Sequence, residues 1–228
     1  MKSTRRQFLG ALGAATLLAP SGAAVAAAPA VDLALLLLVD ASASIGKETL
    51  DFQLRGHAAA FRQPAVAQAI AAGRSGRIGV MLAQFAGPQT LTQLVPWTTL
   101  AGAPDCAAFA DAVDRAPGIA MGGSTALGGA VVDAVRLLDA APFAAGERKI
   151  DLVSNGFNNA GVDPRSAGAH AAAAGVTVNA LAILDEYPWL ETYYAEQVVA
   201  GAGAFVQTAD SKDSFAEAFL RKLVTEIA

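Results

Sequence analysis

The sequence predicts an α/β fold: a three-layer, doubly wound, mostly parallel sheet with one antiparallel edge strand. Three observations carry this. From Asp32 onward, short apolar runs alternate with amphipathic stretches of helical period, the signature of strands and helices that wind a parallel sheet covered on both sides. The first run, LALLLLVD (33–40), is unbroken rather than alternating, as expected of a strand buried on both faces. One run follows its predecessor too closely for a crossover helix and contains a proline, which marks an antiparallel edge.

In order, the first strand covers 33–40. Residues 47–72 read as helix, with Leu50, Leu54, Ala58 and Phe61 on one face and Pro64 breaking or kinking it. RIGVMLAQF (77–85) is the second strand and TLTQLVPW (90–97) the edge strand, with Pro96 suited to that place. A short helix over 104–115 and another from Thr125 to Ala140, with Leu127, Val131, Val135 and Leu138 in phase, lead into the strand RKIDLVS (148–154). An alanine-rich helix (164–174) ends at Gly175, followed by the strand VTVNALAIL (176–184), a helix over 189–200 and a last strand, AFVQTA (204–209). The final helix carries Phe215, Phe219, Leu223 and Ile227 at a spacing of four, and Ser214 with Glu217 reads as its capping box. There is no sequence repeat and no linker, so residues 31–228 read as one domain.

Residues 1–30 read as a targeting segment. Lys2, Arg5 and Arg6 precede an apolar stretch from Phe8 to about Ala19, and small residues close it. TRRQFLG resembles the twin-arginine export signal, which puts the mature chain in the periplasm or outside the cell. Pro29 blocks cleavage directly before it, leaving Ala27 or Ala30 as the last residue removed. Three of the 16 basic residues and none of the 20 acids lie in this segment, so the remainder carries −7. That charge argues against a nucleic-acid partner, which needs a basic surface, and suits divalent cations. Hydrophobic residues make up 54%, enough for a sizeable core. The single cysteine, Cys106, permits no intramolecular disulfide and reads as a small buried helix residue.

Ligands of open parallel sheets bind beyond the carboxyl ends of the strands, where strand order reverses. Three polar segments should meet there. Asp40-Ala41-Ser42-Ala43-Ser44 ends the first strand, so a curled loop can turn an acid and two hydroxyls inward. Ser124-Thr125 follows Gly122-Gly123, and a third polar loop, Ser154-Asn155-Gly156, follows the 148–153 strand. Oxygen ligands of this kind suit hard cations such as Mg²⁺. The alternative reading makes Asp40 a helix cap, with the serines satisfying loop amides.

These segments resemble the von Willebrand factor type A (VWA) domain, whose fold is Rossmann-like. Its metal-ion-dependent adhesion site combines Asp-x-Ser-x-Ser, a Thr on a second loop and an Asp on a third. Asp40, Ser42 and Ser44 match the first element, Thr125 in GGSTALGGA the second, and Asn155 stands where the family has Asp. The resemblance covers about residues 32–228. It is closest to an exported bacterial branch of unknown function, with Val95–Thr98 matching its V-P-W-T run, IDLVSNGFNN (150–159) its I-D-V-S-G-D-G-x-N-N run, and Tyr193-Tyr194 its tyrosine pair. The resemblance implies a Mg²⁺ or Mn²⁺ held by Asp40, Ser42, Ser44, Thr125 and Asn155, which leaves a coordination position for an acidic side chain of a protein partner. It implies no enzyme activity, no nucleic acid, and no membrane after signal cleavage.

Two alternatives stand beside this binding module: a periplasmic metal-dependent hydrolase, and a VWA fold that has lost its metal. Against a hydrolase, the chain has no Gly-x-Ser-x-Gly elbow and no His-Glu-x-x-His motif. Gly201-Ala202-Gly203 precedes a strand, which argues against a dinucleotide loop. His57 and His170 lack ligand-spaced partners. Trp97, Trp189, Tyr193 and Tyr194 read as core or edge packing, Asp185 and Glu186 as rim or solvated acids, and Asn158 and Asn159 as residues shaping the third loop.

Overall fold

The computed structural model describes residues 28–211 and 214–228; the targeting segment, apart from its last three residues, lies outside them. A six-stranded sheet has the order β3-β2-β1-β4-β5-β6. β1 (Ala30–Asp40) pairs in parallel with β2 (Ile78–Phe85) and β4 (Ala144–Ser154). β5 (Thr177–Ile183) and β6 (Val206–Ala209) extend the parallel half. β3 (Thr92–Leu100) is the antiparallel edge. Pro96 is tolerated there because the register shifts around it: Leu82 faces Val95 and Val80 faces Thr98, so two residues of β3 oppose one of β2.

The Leu-rich β1 serves two cores at once. Leu33, Leu35, Leu37 and Val39 face α1 (Lys47–Phe61), α2 (Pro64–Ala72), α3 (Ala103–Arg115) and α7 (Phe215–Ile227). Ala34, Leu36 and Leu38 face α4 (Leu127–Asp139), α5 (Pro164–Ala173) and α6 (Leu190–Gln197). Side chains alternate across a strand, so a strand buried on both faces must be apolar at every position. Each leucine here is fully buried, worth roughly 1.5–3 kcal/mol.

Residues 47–72 form two helices, broken at the expected proline: α1 closes at Arg62, and Pro64 opens α2 at its first position, where its missing N–H costs nothing. Other local expectations change. The helix expected from Thr125 begins at Leu127, because Thr125 is held in the preceding loop. Ser214 makes no capping box. Its backbone is already helical (φ −83°, ψ −7°), and its hydroxyl turns back to the Ser211 carbonyl, while Glu217 pairs with Arg221. Trp189 packs at the edge as expected, against Phe157, Tyr187 and Tyr193, with 47% of its surface exposed. Cys106 is buried on α3 as expected. Among the described residues no helix is long and apolar enough to cross a membrane.

Candidate metal centre

From β1 the chain turns one way to β2 and β3, and β4 continues the sheet on the other side. That reversal places the carboxyl ends of β1 and β4 side by side, with Val39 paired to Val153. Three loops meet above them. Gly122 and Gly123 have φ of +68° and +74°, a left-handed backbone that glycine adopts without strain. This turn brings the Gly122 N–H to the Ala41 carbonyl, and the Ala43 N–H to the Gly123 carbonyl. The third loop is seated by close approach: a Cβ on Gly128 would lie 2.2 Å from the Val162 carbonyl oxygen.

The five predicted residues come together here. Asp40 is fully buried, and its carboxylate accepts from the Ser42 N–H at 2.8 Å and the Ser154 hydroxyl at 2.5 Å. Thr125 Oγ1 donates to Ser42 Oγ at 2.8 Å, and Ser44 Oγ donates to Asn155 Oδ1 at 2.9 Å. Thr125 and Asn155 are 4% and 2% exposed, so these oxygens sit in a partly dehydrated loop cluster. Burial pushes the Asp40 carboxyl above its ordinary range, against the opposing hydrogen bonds from Ser154 and Ser42.

A supporting layer fixes the loops. Asn159 accepts from the Thr125 N–H at 2.8 Å and gives its own N–H to the Thr125 carbonyl at 3.0 Å. Asn158 Oδ1 accepts from Gly128 N–H, and the Tyr193 hydroxyl accepts from Asn158 N–H. The Tyr194 phenol, fully buried, donates to the Gly156 carbonyl at 2.6 Å. Burial raises its pKa, keeping it a donor. Sequence reading placed Ser154 in the third loop but missed its bond to Asp40; a hydroxyl closing a buried strand was the available signal. Glu186 reaches the rim of a shallow cleft of about 130 Å³ with Ser44, Thr125, Phe157 and Tyr187. A larger cleft, about 690 Å³, lies at the opposite end of the sheet near Val31 and Ala145; none of the five site residues lines it.

The donor set consists of hydroxyl, carboxylate and amide oxygens, with one negative charge. That chemistry fits a hard divalent cation and excludes the thiolate and imidazole preferences of softer ions. Ser42, Ser44 and Thr125 would supply neutral oxygens, and Asp40 the charge, directly or through water. Among the described residues, no group of three or more His, Cys, Asp or Glu side chains could hold a metal, so hydroxyls would make up most of this shell.

Residues 30–228 match the family model described as protein of unknown function (DUF1194). The chain belongs to that family. Its fold is that of the VWA domain. Proximal thread matrix protein 1 from the mussel byssus, solved with a zinc-occupied MIDAS motif, is 19% identical with a TM-score of 0.61, over 86% of this chain and 48% of that one. The pilus adhesin SpaC from Lactobacillus rhamnosus GG is 16% identical at a TM-score of 0.60, over 86% and 30%. A von Willebrand factor type A protein from Catenulispora acidiphila is 18% identical at 0.55, over 86% and 43%. This DUF1194 chain thus spans less than half the length of each. No curated protein sequence matches it.

Proposed function

We propose that this chain is an exported binding module whose loop cluster holds Mg²⁺ or Mn²⁺ and takes an acidic side chain of a protein partner. The observation that carries the proposal is the convergence of Asp40, Ser42, Ser44, Thr125 and Asn155, drawn from three loops, at the reversal point of the sheet. A divalent ion on one carboxylate and several neutral oxygens keeps net positive charge. It therefore attracts a second carboxylate from outside, which gives directional, metal-dependent adhesion. The mussel protein with zinc in its MIDAS motif and the pilus adhesin, both of this fold, support the reading.

The same geometry supports a non-enzymatic role. Ser44 donates to an amide oxygen, and Ser42 engages Thr125. The one acid beside Ser42, Asp40, is already occupied by the Ser154 hydroxyl and the Ser42 amide. Neither histidine reaches the site: His57 lies against Phe219 under α7, and His170 is exposed on α5. A serine nucleophile needs a positioned base.

The test is capture of partners from a periplasmic extract on the immobilised mature chain, with Mg²⁺ or with chelator. The proposal expects a partner retained with Mg²⁺ and released by chelator, and released equally when its acidic residues are amidated. Retention that ignores the metal would count against it.

A further inference from the structure

A second cluster of reactive groups lies away from the metal centre, under α7. Lys222, Asp151 and Glu226 are buried to within 1% of full exclusion, and Asn179 is 2% exposed. Lys222 Nζ stands 2.6 Å from Asp151 Oδ1 and 2.6 Å from Glu226 Oε1. Asn179 Nδ2 donates to the same Glu226 oxygen at 2.8 Å, and its own Oδ1 accepts from the Phe205 N–H. The ring of Phe205 lies 5.7 Å from the Lys222 nitrogen, and the surrounding core is aromatic and aliphatic.

As an ion cluster this is poorly built. Both Asp151 oxygens and Glu226 Oε2 lack a hydrogen bond, Lys222 meeting Asp151 at contact distance but outside hydrogen-bond geometry. Buried charges with unfilled hydrogen bonds are costly. As a reaction site it is well built: an amine nitrogen lies against a carboxyl group, in a dry core, beside a second carboxyl group. We propose that Lys222 and Asp151 condense to an intramolecular isopeptide bond, with Glu226 as the proton-transfer catalyst.

The step balances without an external reagent. Lys222 ammonium passes a proton to the Asp151 carboxylate, leaving a free amine. The amine nitrogen forms a bond to Asp151 Cγ as the carbonyl electron pair moves to oxygen, which the Glu226 carboxyl protonates. Glu226 then takes a proton from the new C–N nitrogen and returns one to the departing hydroxyl. The C–O bond breaks and water leaves; the remaining hydroxyl on Cγ gives its proton to Glu226, so a neutral amide remains with Glu226 again protonated. Burial, and then the neighbouring Asp151 charge, push the Glu226 carboxyl well above its ordinary range, which favours the protonated form that the step requires. Fixing amine and carboxyl at contact supplies the effective concentration that this condensation lacks in water. The product ties α7 to β4 covalently, as a disulfide would, in a chain whose sequence has one cysteine.

Intact mass spectrometry of the purified chain, followed by a protease digest, tests this. The expected result is a mass lower than the sequence mass by one water, with a branched peptide joining Lys222 to Asp151. Lys222→Arg and Glu226→Gln should both show the full mass, the cross-linked fraction falling from nearly all to none. Circular dichroism of each variant accompanies the mass measurement, because an unfolded chain would lack the bond for want of the buried geometry; full mass counts only for a variant that keeps its fold. Wild-type chain at full mass, a loss of ammonia instead of water, a water loss mapped elsewhere, or cross-linking that persists in Glu226→Gln would each overturn the proposal.

Discussion

Asn155→Asp is the substitution that most sharply examines how the centre holds a cation. Asn155 is 2% exposed and its Oδ1 lies 2.9 Å from Ser44 Oγ, so the new carboxylate enters a loop already screened from water. Two unit charges about 4 Å apart attract by roughly 4 kcal/mol at an effective dielectric of 20, and a divalent ion doubles that. Against this stand the dehydration of the new carboxylate and its repulsion by Asp40, both of similar size in a partly buried loop. The net expectation is about 1–2 kcal/mol, or roughly a tenfold tighter Mg²⁺ or Mn²⁺ affinity. In the metal-free state the same repulsion should lower the melting temperature, and the ion should restore it. Isothermal titration of both proteins, alongside melting curves with and without metal, measures this. Equal affinities would refute the placement of Asn155 beside the ion. Asn155 precedes Gly156, a pair prone to deamidation, and ageing would mimic the substitution. However, the Gly156 N–H donates to Ser154 Oγ and Asn155 Oδ1 accepts from Ser44, which holds the reacting groups. Deamidation should therefore be slow in the folded chain, and mass spectrometry of each sample checks it.

Three other outcomes are expected. Thr125→Ala removes the hydroxyl that donates to Ser42 while leaving the Thr125 backbone bonds to Asn159; it should abolish metal-dependent partner binding and cost only about 1 kcal/mol of stability by denaturant unfolding. His57 is fully buried, and burial pushes its pKa down to about 4, so the unfolded chain binds a proton that the folded one refuses. Stability should fall as pH drops from about 6.5 to about 4, by about 1 kcal/mol per unit, and His57→Phe, which removes an unpaired Nε2, should flatten that limb in pH-dependent melting. Replacing Arg5 and Arg6 with lysine should block export in cell fractionation; N-terminal sequencing of exported chain should find Ala28 first, since Ala30 pairs with Ala144 and the Pro29 carbonyl accepts its N–H.

The sheet was legible because its strands are buried on both faces, which forces unbroken apolar runs such as 33–40. The edge strand and the break at Pro64 were legible because proline removes a donor. Caps were not: Ser214 satisfies a pattern of residue types, yet its backbone angles decide where the hydroxyl points. The five residues at the loop cluster could be picked out because the order of elements fixes which loops meet. Their supports were only partly visible. Asn159 was read as shaping the third loop, but its bond to the Thr125 amide depends on how that loop lies across α4. Least legible was the Asp151–Lys222–Glu226 cluster. Lys222 and Glu226 are spaced four apart on a helix, as solvated ion pairs usually are, and only the charge inside the apolar strand IDLV hinted that the helix brings its polar side inward there.

Mn²⁺ binding followed by electron paramagnetic resonance decides whether the loop cluster holds one divalent cation, on the native chain and on Asp40→Asn, which keeps the shape of that side chain while removing the cluster's one negative charge. One Mn²⁺ per chain, displaced by Mg²⁺ and lost in the variant, is the expected result. No bound Mn²⁺ in the native chain, or binding that Asp40→Asn leaves unchanged, would contradict it.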